Sequence, residues 1–299
     1  MIKTALSFLA VAASLSVTPD ARAQGTWDKV AAVLGKTGAE MPGQVYRVGF
    51  PRTDLTVTLD GVAIRPTFAL GGWLAFKAMG AEAMVMGDLV LTETEINPVM
   101  AKLFAGGLTV TAVHNHLLRA QPATFYMHVG GRGDPEKLAA ALHAAILESK
   151  IPLAASPLSA AAGGPPPAID LDTAKLNEAL GARGNPNGGV YGFNIPRADP
   201  VTDHGMVMPP AMGTGIVINF QPMGGGRAAI TGDFVLLADE VNPVLATLRQ
   251  NGIEVTAVHN HMLDDQPRTF YVHFWAVDDA MKLAGGLRAA LDKLKLAKN

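Results

Sequence analysis

Val110-Thr111-Ala112-Val113-His114-Asn115-His116 recurs as Val255-Thr256-Ala257-Val258-His259-Asn260-His261. Each residue returns 145 positions later (114 to 259, 116 to 261). The alternating apolar run before each His-Asn-His predicts a β-strand, on which residues i and i+2 share a face. His114 and His116 are then expected on one face, about 7 Å apart along the strand, with Asn115 pointing away. Two imidazoles so placed can ligate a metal, share a proton or grip an anion.

Working outward, the next segment of each half adds a third histidine. A turn at Arg119 to Ala123 leads into Thr124-Phe125-Tyr126-Met127-His128-Val129, which matches Phe270-Tyr271-Val272-His273. A short turn between two strand patterns predicts a hairpin, making His128 a cross-strand neighbour of His114 or His116. Upstream, Glu95-Ile96-Asn97-Pro98 matches Glu240-Val241-Asn242-Pro243. Pro98 suits the first turn of a helix reaching about Ala105, with Thr94 or Asn97 as its cap. Gly87-Asp88, read as an interruption in the strand pattern Glu82 to Leu91, corresponds to Gly232-Asp233; Gly130 to Gly133 is read as a strand end. After it, Asp134-Pro135-Glu136 starts a helix with Leu138, Leu142 and Ile146 on one face. Asp278 is expected to cap the last helix, and Thr26 the first. Pro51-Arg52 recurs as Pro196-Arg197.

These correspondences make the chain a tandem duplication of one α+β unit, a mostly antiparallel sheet with packed helices and a late order β-α-β-β-α. The expected divisions are a signal peptide over 1–23, a first unit over 24–150, a Pro/Ala/Gly linker over 151–168 and a second unit over 169–299. Three successive prolines, 165–167, cannot join a packed element. The signal reading rests on Lys3, the apolar run Ala5 to Val17 and the cleavage pattern Ala21-Arg22-Ala23. It implies a periplasmic or secreted protein with no transmembrane span once cut, since that run is short for a span.

The 299 residues include no cysteine and carry a formal net charge of −2. No basic field attracts nucleic acid, and neither a disulfide nor a thiolate ligand exists. What remains for metal chemistry is imidazole and carboxylate. His114, His116 and His128, with His259, His261 and His273, form two candidate metal triplets, and Glu95 and Glu240 are the candidate acid/base residues. Such a set suits a divalent transition metal, zinc foremost. The bland account of the same residues is a hydrogen-bonded structural cluster for the histidines and helix-dipole stabilisation for the two acids. Tyr126 and Tyr271 share the face of His128 and His273, where hairpin packing is the simpler role. Arg52 and Arg197 could hold an anion. His143 and His204 have no histidine counterparts and are expected to be idle. Met206, Met208, Met212 and Met223 read as core filler.

The doubled V-T-A-V-H-N-H strand, the E-[IV]-N-P helix start and the F-Y-x-H strand resemble a bacterial family of unknown function that includes the mycobacterial lipoproteins LppY and LpqO. The resemblance spans about Trp27 to Leu294 and implies an exported protein, without an established activity. Because this chain lacks a lipid-bearing cysteine, it implies a soluble form. Two functions follow as alternatives. One is a metal-dependent hydrolase acting on a small molecule or cell-envelope ligand; the other is a non-catalytic metal- or cell-wall-ligand-binding protein.

Overall fold

The computed structural model describes residues 21–153 and 168–297. The expected signal segment lies outside the described residues except for its last three, and the expected linker lies outside them except at its two ends. The first half runs α1 (Ala21–Leu34), β1 (Ala39–Met41), β2 (Val45–Pro51), β3 (Val57–Leu59), β4 (Val62–Ile64), α2 (Pro66–Ala69), β5 (Gly71–Met79), β6 (Glu82–Thr92), α3 (Glu93–Ala105), β7 (Thr109–His114), β8 (Thr124–Gly133) and α4 (Pro135–Ile146). The second runs α5 (Thr173–Leu180), β9 (Asn185–Asn187), β10 (Val190–Pro196), β11 (Thr202–Asp203), β12 (Met206–Val207), β13 (Gly215–Gly224), β14 (Arg227–Leu236), α6 (Val241–Gln250), β15 (Glu254–His259), β16 (Phe270–Asp279) and α7 (Ala280–Leu291).

The fold is α+β and doubled. One six-stranded sheet has the order β1-β2-β5-β6-β8-β7 and the other β9-β10-β13-β14-β16-β15, with every pairing antiparallel. The hairpin expectation holds: β7 pairs with β8, and β15 with β16. A bulge between Val110 and Ala112 sets the register, so that His128 lies opposite Ala112 and His114 opposite Tyr126. His114 and His128 therefore meet diagonally.

Each sheet is buried on both faces. Trp27, Val30 and Leu34 of α1, Val99 and Leu103 of α3, and Leu138, Leu142 and Ile146 of α4 pack on one face of the first sheet, against Phe50, Leu74, Phe76 and Val85. Its other face offers Val45, Ala75, Met84 and Met86 to Met208, Ala211 and Met212 of the second half. Reciprocally, Val190, Ala229 and Trp275 of the second sheet pack with Val62, Phe68 and Leu70 of the first half. The two halves thus clasp each other. A strand apolar on both faces reads as a continuous run rather than an alternation, which is how β6 appears in Glu82 to Leu91.

Several boundaries differ from expectation. Gly87 does not interrupt β6; a Cβ there would lie 2.8 Å from the Trp73 carbonyl oxygen, so glycine is what lets neighbouring strands approach. Gly232 stands in the same way against the Val217 carbonyl. β8 also continues through Gly130 to Gly133, with Gly131 against Leu108 and Leu138. Helix α1 starts at Ala21, which makes Thr26 an interior residue. Helix α3 starts after Thr92, whose backbone N–H donates to Glu95 Oε2 at 2.8 Å, a capping-box bond. The cap of α7 is Asp279, which accepts from the Lys282 N–H at 2.9 Å, and not Asp278.

Candidate metal centre between the repeats

Strands β7 and β15 are the outer edges of their sheets, and they meet. Thr111 Oγ1 donates to the His261 carbonyl at 2.6 Å, and Thr256 Oγ1 to the His116 carbonyl at 2.7 Å. The two bonds are related by the duplication. Asn260 Nδ2 adds a bond to the Thr111 carbonyl at 2.9 Å. The asparagine of the second His-Asn-His thus ties the halves together, as a residue facing away from the imidazoles can. Each exposed edge is covered by the other, and both His-Asn-His segments arrive at one place.

All six duplicated histidines gather there. The His114 ring stacks on His259 with centroids 3.6 Å apart. His116 lies 3.6 Å from His273, and its mate His261 lies 3.9 Å from His128. His114 Nε2 is 3.2 Å from His273 Nε2. Three sets of possible ligand atoms each fall within 4.8 Å of one another: His114, His116 and His273; His114, His128 and His259; Asp233, His259 and His261. Two of the three sets combine both halves. This differs from the expected triplets, in which each half supplies its own three histidines. The reason is the edge-to-edge meeting of β7 and β15, which brings the hairpin histidine of one half against the H-x-H pair of the other.

The carboxylates at this centre are Asp88 and Asp233. Asp88 lies directly across from His128 in the β6–β8 register, and Asp233 across from His273. Asp233 Oδ2 is 3.2 Å from His261 Nε2, and Asp88 Oδ2 is 3.9 Å from His116 Nε2. The doubled Gly-Asp dipeptide, on the strand next to each histidine hairpin, was the sequence signal for them. Glu95 and Glu240, expected as acid/base residues, are committed elsewhere. Glu95 receives Arg52 Nη1 at 2.7 Å and the backbone N–H groups of Thr92 and Lys150, each at 2.8 Å. Glu240 receives Arg197 Nη1 and the Leu237 N–H, each at 2.7 Å. The same pairs correct the reading of Arg52 and Arg197 as anion sites, since both guanidiniums are buried.

Second contacts fix some of the rings. His273 Nδ1 lies 2.6 Å from the Gly232 carbonyl oxygen and His261 Nδ1 3.1 Å from that of Gly213. Tyr126 stacks on His116 and Tyr271 on His261, each with centroids 3.4 Å apart. The tyrosines wall the centre, beyond simple hairpin packing. His143 is half-buried and His204 exposed beside Asp203, and neither joins the six.

Nine buried side-chain atoms at this centre complete no well-formed hydrogen bond with the protein: Oδ1 of Asp88 and Asp233, Nδ1 of His114, Nε2 of His116 and of His261 (which faces Asp233 Oδ2 at 3.2 Å), and both ring nitrogens of His128 and His259. Buried polar atoms are ordinarily paired. A concentration of orphaned imidazole nitrogens and carboxylate oxygens is the donor set a transition ion takes. A cavity of about 470 Å³ opens beside them, lined by Asp88, Asp233, His116, His261 and His273 together with Arg47, Phe68 and Trp73.

Burial sets the electrostatics. It pushes all six imidazoles below their ordinary pKa, His261 to about 3, and neighbouring imidazoles add to the effect on His114, His116, His128 and His259. Burial likewise raises the carboxyls, Asp233 to about 6 and Asp88, with Asp233 nearby, to about 7. A stability effect follows for metal-free protein. An unfolded imidazole titrates near 6.5, so on acidification the unfolded chain takes protons that the folded chain refuses. That contribution is present above about pH 6.5 and is lost as pH falls towards the folded values. The two aspartates act oppositely, favouring the fold at low pH and losing that effect as pH rises through about 6–7. Six imidazoles against two carboxyls set the sign. The melting temperature of chelator-treated protein should fall between pH 7 and 5, and less steeply for the His116→Ala/His261→Ala double variant. A flat or rising profile would contradict neutral buried imidazoles.

No helix among the described residues is long and apolar enough to cross a membrane. No curated protein matches the sequence. Among solved structures, the trimeric bacterial microcompartment shell protein PduB aligns over 85% of this chain and 88% of its own, at 12% identity and a TM-score of 0.21. EtuB from Clostridium kluyveri aligns over 85% and 90%, at 6% identity and a TM-score of 0.19. A family described as Domain of Unknown Function (DUF1259) matches twice, over residues 28–148 and 174–293, and the chain belongs to that family as a tandem pair of its domains.

Proposed function

We propose that this protein is a metal-dependent hydrolase of the bacterial periplasm, with zinc or a similar divalent ion held between its two repeats. One observation carries the reading: the nine orphaned nitrogen and oxygen atoms that converge at the repeat junction beside a cavity. Export is supported by the signal-like pattern before Gln24 and by the resemblance to the LppY and LpqO lipoproteins. The domain division at the Pro/Ala/Gly segment is part of the same proposal, and a small molecule or cell-envelope ligand is the substrate it implies.

His114, His116 and His273, and His259, His261 and Asp233, would hold the ions, with His128 on the second set by the symmetry of the duplication. A divalent ion in such a site polarises a substrate oxygen and lowers the pKa of bound water. Asp88 lines the cavity with one oxygen unpartnered, and takes the role of proton acceptor and donor at the substrate. Tyr126 and Tyr271 hold the ring planes of His116 and His261 by stacking.

The test uses protein prepared without an affinity tag. It should carry zinc or another transition ion, and it should cleave a member of a panel of phosphate-ester, carboxylic-ester and amide model compounds. Chelation should abolish the activity and zinc restore it. Asp88→Asn should keep the metal and lose about a hundredfold or more in rate, the scale of general acid–base catalysis. Metal without any hydrolysis would leave a carrier or binding protein; a folded protein that takes up no metal would end the reading.

A further inference from the structure

The duplicated centre departs from its own symmetry at two adjoining positions. Arg47 lines its cavity, and the equivalent residue in the second half is Gly192, each directly following one of the matching tyrosines Tyr46 and Tyr191. Trp73, opposite Asp88 in the β5–β6 register, is answered by Val217, opposite Asp233 in the β13–β14 register. Both exceptional side chains touch: the Arg47 guanidinium lies over the Trp73 ring, 4.2 Å from its centroid. Arg47 Nη1 also donates to the Ala211 carbonyl of the other half at 2.8 Å. The head group is therefore clamped by a ring on one side and a carbonyl on the other.

Arg47 feels the charge of Asp88 across the cavity but makes no ion pair with a carboxylate. Arg52 and Arg197 each meet a glutamate at 2.7 Å, whereas among the described residues the Arg47 guanidinium has the Ala211 carbonyl as its one hydrogen-bond partner. A half-buried guanidinium with unused donors facing a cavity is suited to a two-oxygen anion, which arginine binds in parallel hydrogen bonds. We infer that Arg47, positioned by Trp73, is an anion subsite that the duplication does not repeat, and that the substrate is a small molecule bearing a phosphate or carboxylate group. The inference deepens the hydrolase reading and rests on it for the reacting end of the substrate. The cavity volume of about 470 Å³ lies within the range of small-molecule sites. The carboxylates of Asp88 and Asp233 share this cavity, and ions on the histidine sets would offset their repulsion of an incoming anion. One anion per chain is the expected stoichiometry, although the metal ligands are doubled.

Binding of inorganic phosphate and, separately, of acetate is measured by calorimetry on the full-length zinc-loaded protein. The expected result is one site, weakened about ten- to a hundredfold by Arg47→Ala, the range for hydrogen bonds to a charged group. Arg47→Lys should retain part of the affinity, because it keeps the charge and loses the fork. Zinc content should be the same in all three proteins. Tighter phosphate binding assigns a phosphoryl substrate, and tighter acetate binding a carboxylate one. Equal affinity in wild type and Arg47→Ala, or no binding of either anion by wild type, overturns the inference. The same titration on metal-free protein separates the two ideas. Arg47-dependent anion binding by a chain that takes up no zinc would sustain the subsite and end the metal reading. If Arg47→Ala fails to fold by circular dichroism, Arg47→Lys decides, and unchanged affinity there for both anions counts against the fork.

Discussion

Replacing His114 or His259 with alanine will weaken metal binding more than replacing any other single histidine. Each belongs to two of the three ligand sets, and the two rings stack at 3.6 Å where the halves meet. Removing one therefore damages a ligand set containing histidines from the other half. Loss of an outer-shell partner typically costs about 10–100-fold in metal affinity, and loss of a direct ligand shared between sets should exceed about a hundredfold. If each repeat instead bound its own ion, His116→Ala would remove one equivalent, His261→Ala another, and the two losses would add. Metal content and chelator competition on the single and double variants distinguish these outcomes. His143→Ala, outside the six, is the control and should leave metal binding unchanged. Strictly additive, independent losses would contradict a shared centre.

The second large effect is on stability. Glu95→Ala should destabilise the fold by about 3–5 kcal/mol, the usual cost of stripping one partner from a buried ion pair. Arg52 is fully buried, and Glu95 meets it with two oxygens while also accepting the Thr92 and Lys150 N–H groups. Asp54 stays behind as a partial partner for the guanidinium, so the lower end of that range is the nearer expectation. Folded Glu95→Ala protein should keep its metal. Denaturant unfolding and metal analysis of the same sample check both halves of the statement. A variant of undiminished stability that has lost its metal would return Glu95 to the metal centre. Glu240→Ala should behave alike, because Arg197 and the Leu237 N–H depend on it in the same way.

The parts of this architecture visible in the sequence are the local ones. The hairpin joining His114 to His128 follows from two strand patterns and a short turn, and the duplication follows from a constant offset. What sequence misjudged were positions whose reason is a neighbour. Gly87 looks like a break until Trp73 and Leu74 are placed against it. Glu95 resembles a free acid at a helix start because Arg52 is 43 residues away in the chain. Asp88 and Asp233 carried a usable signal, since each repeats beside a glycine on the strand flanking the histidine hairpin. Grouping the histidines across the halves had no such signal. It depends on two sheet edges meeting, which Thr111, Thr256 and Asn260 secure through bonds to backbone carbonyls 140 to 150 positions away.

The shared centre is tested most directly by a crystal of zinc-loaded protein and its anomalous scattering at the zinc edge. One zinc is expected within about 2.0–2.2 Å of nitrogens from both halves, His114 and His116 with His273, and a second at similar distances from His259 and His261 nitrogens and an Asp233 oxygen, with His128 reaching it from the first half. Zinc bound by His114, His116 and His128 alone, with a second ion on His259, His261 and His273, would contradict the shared centre, as would zinc on Glu95 or Glu240.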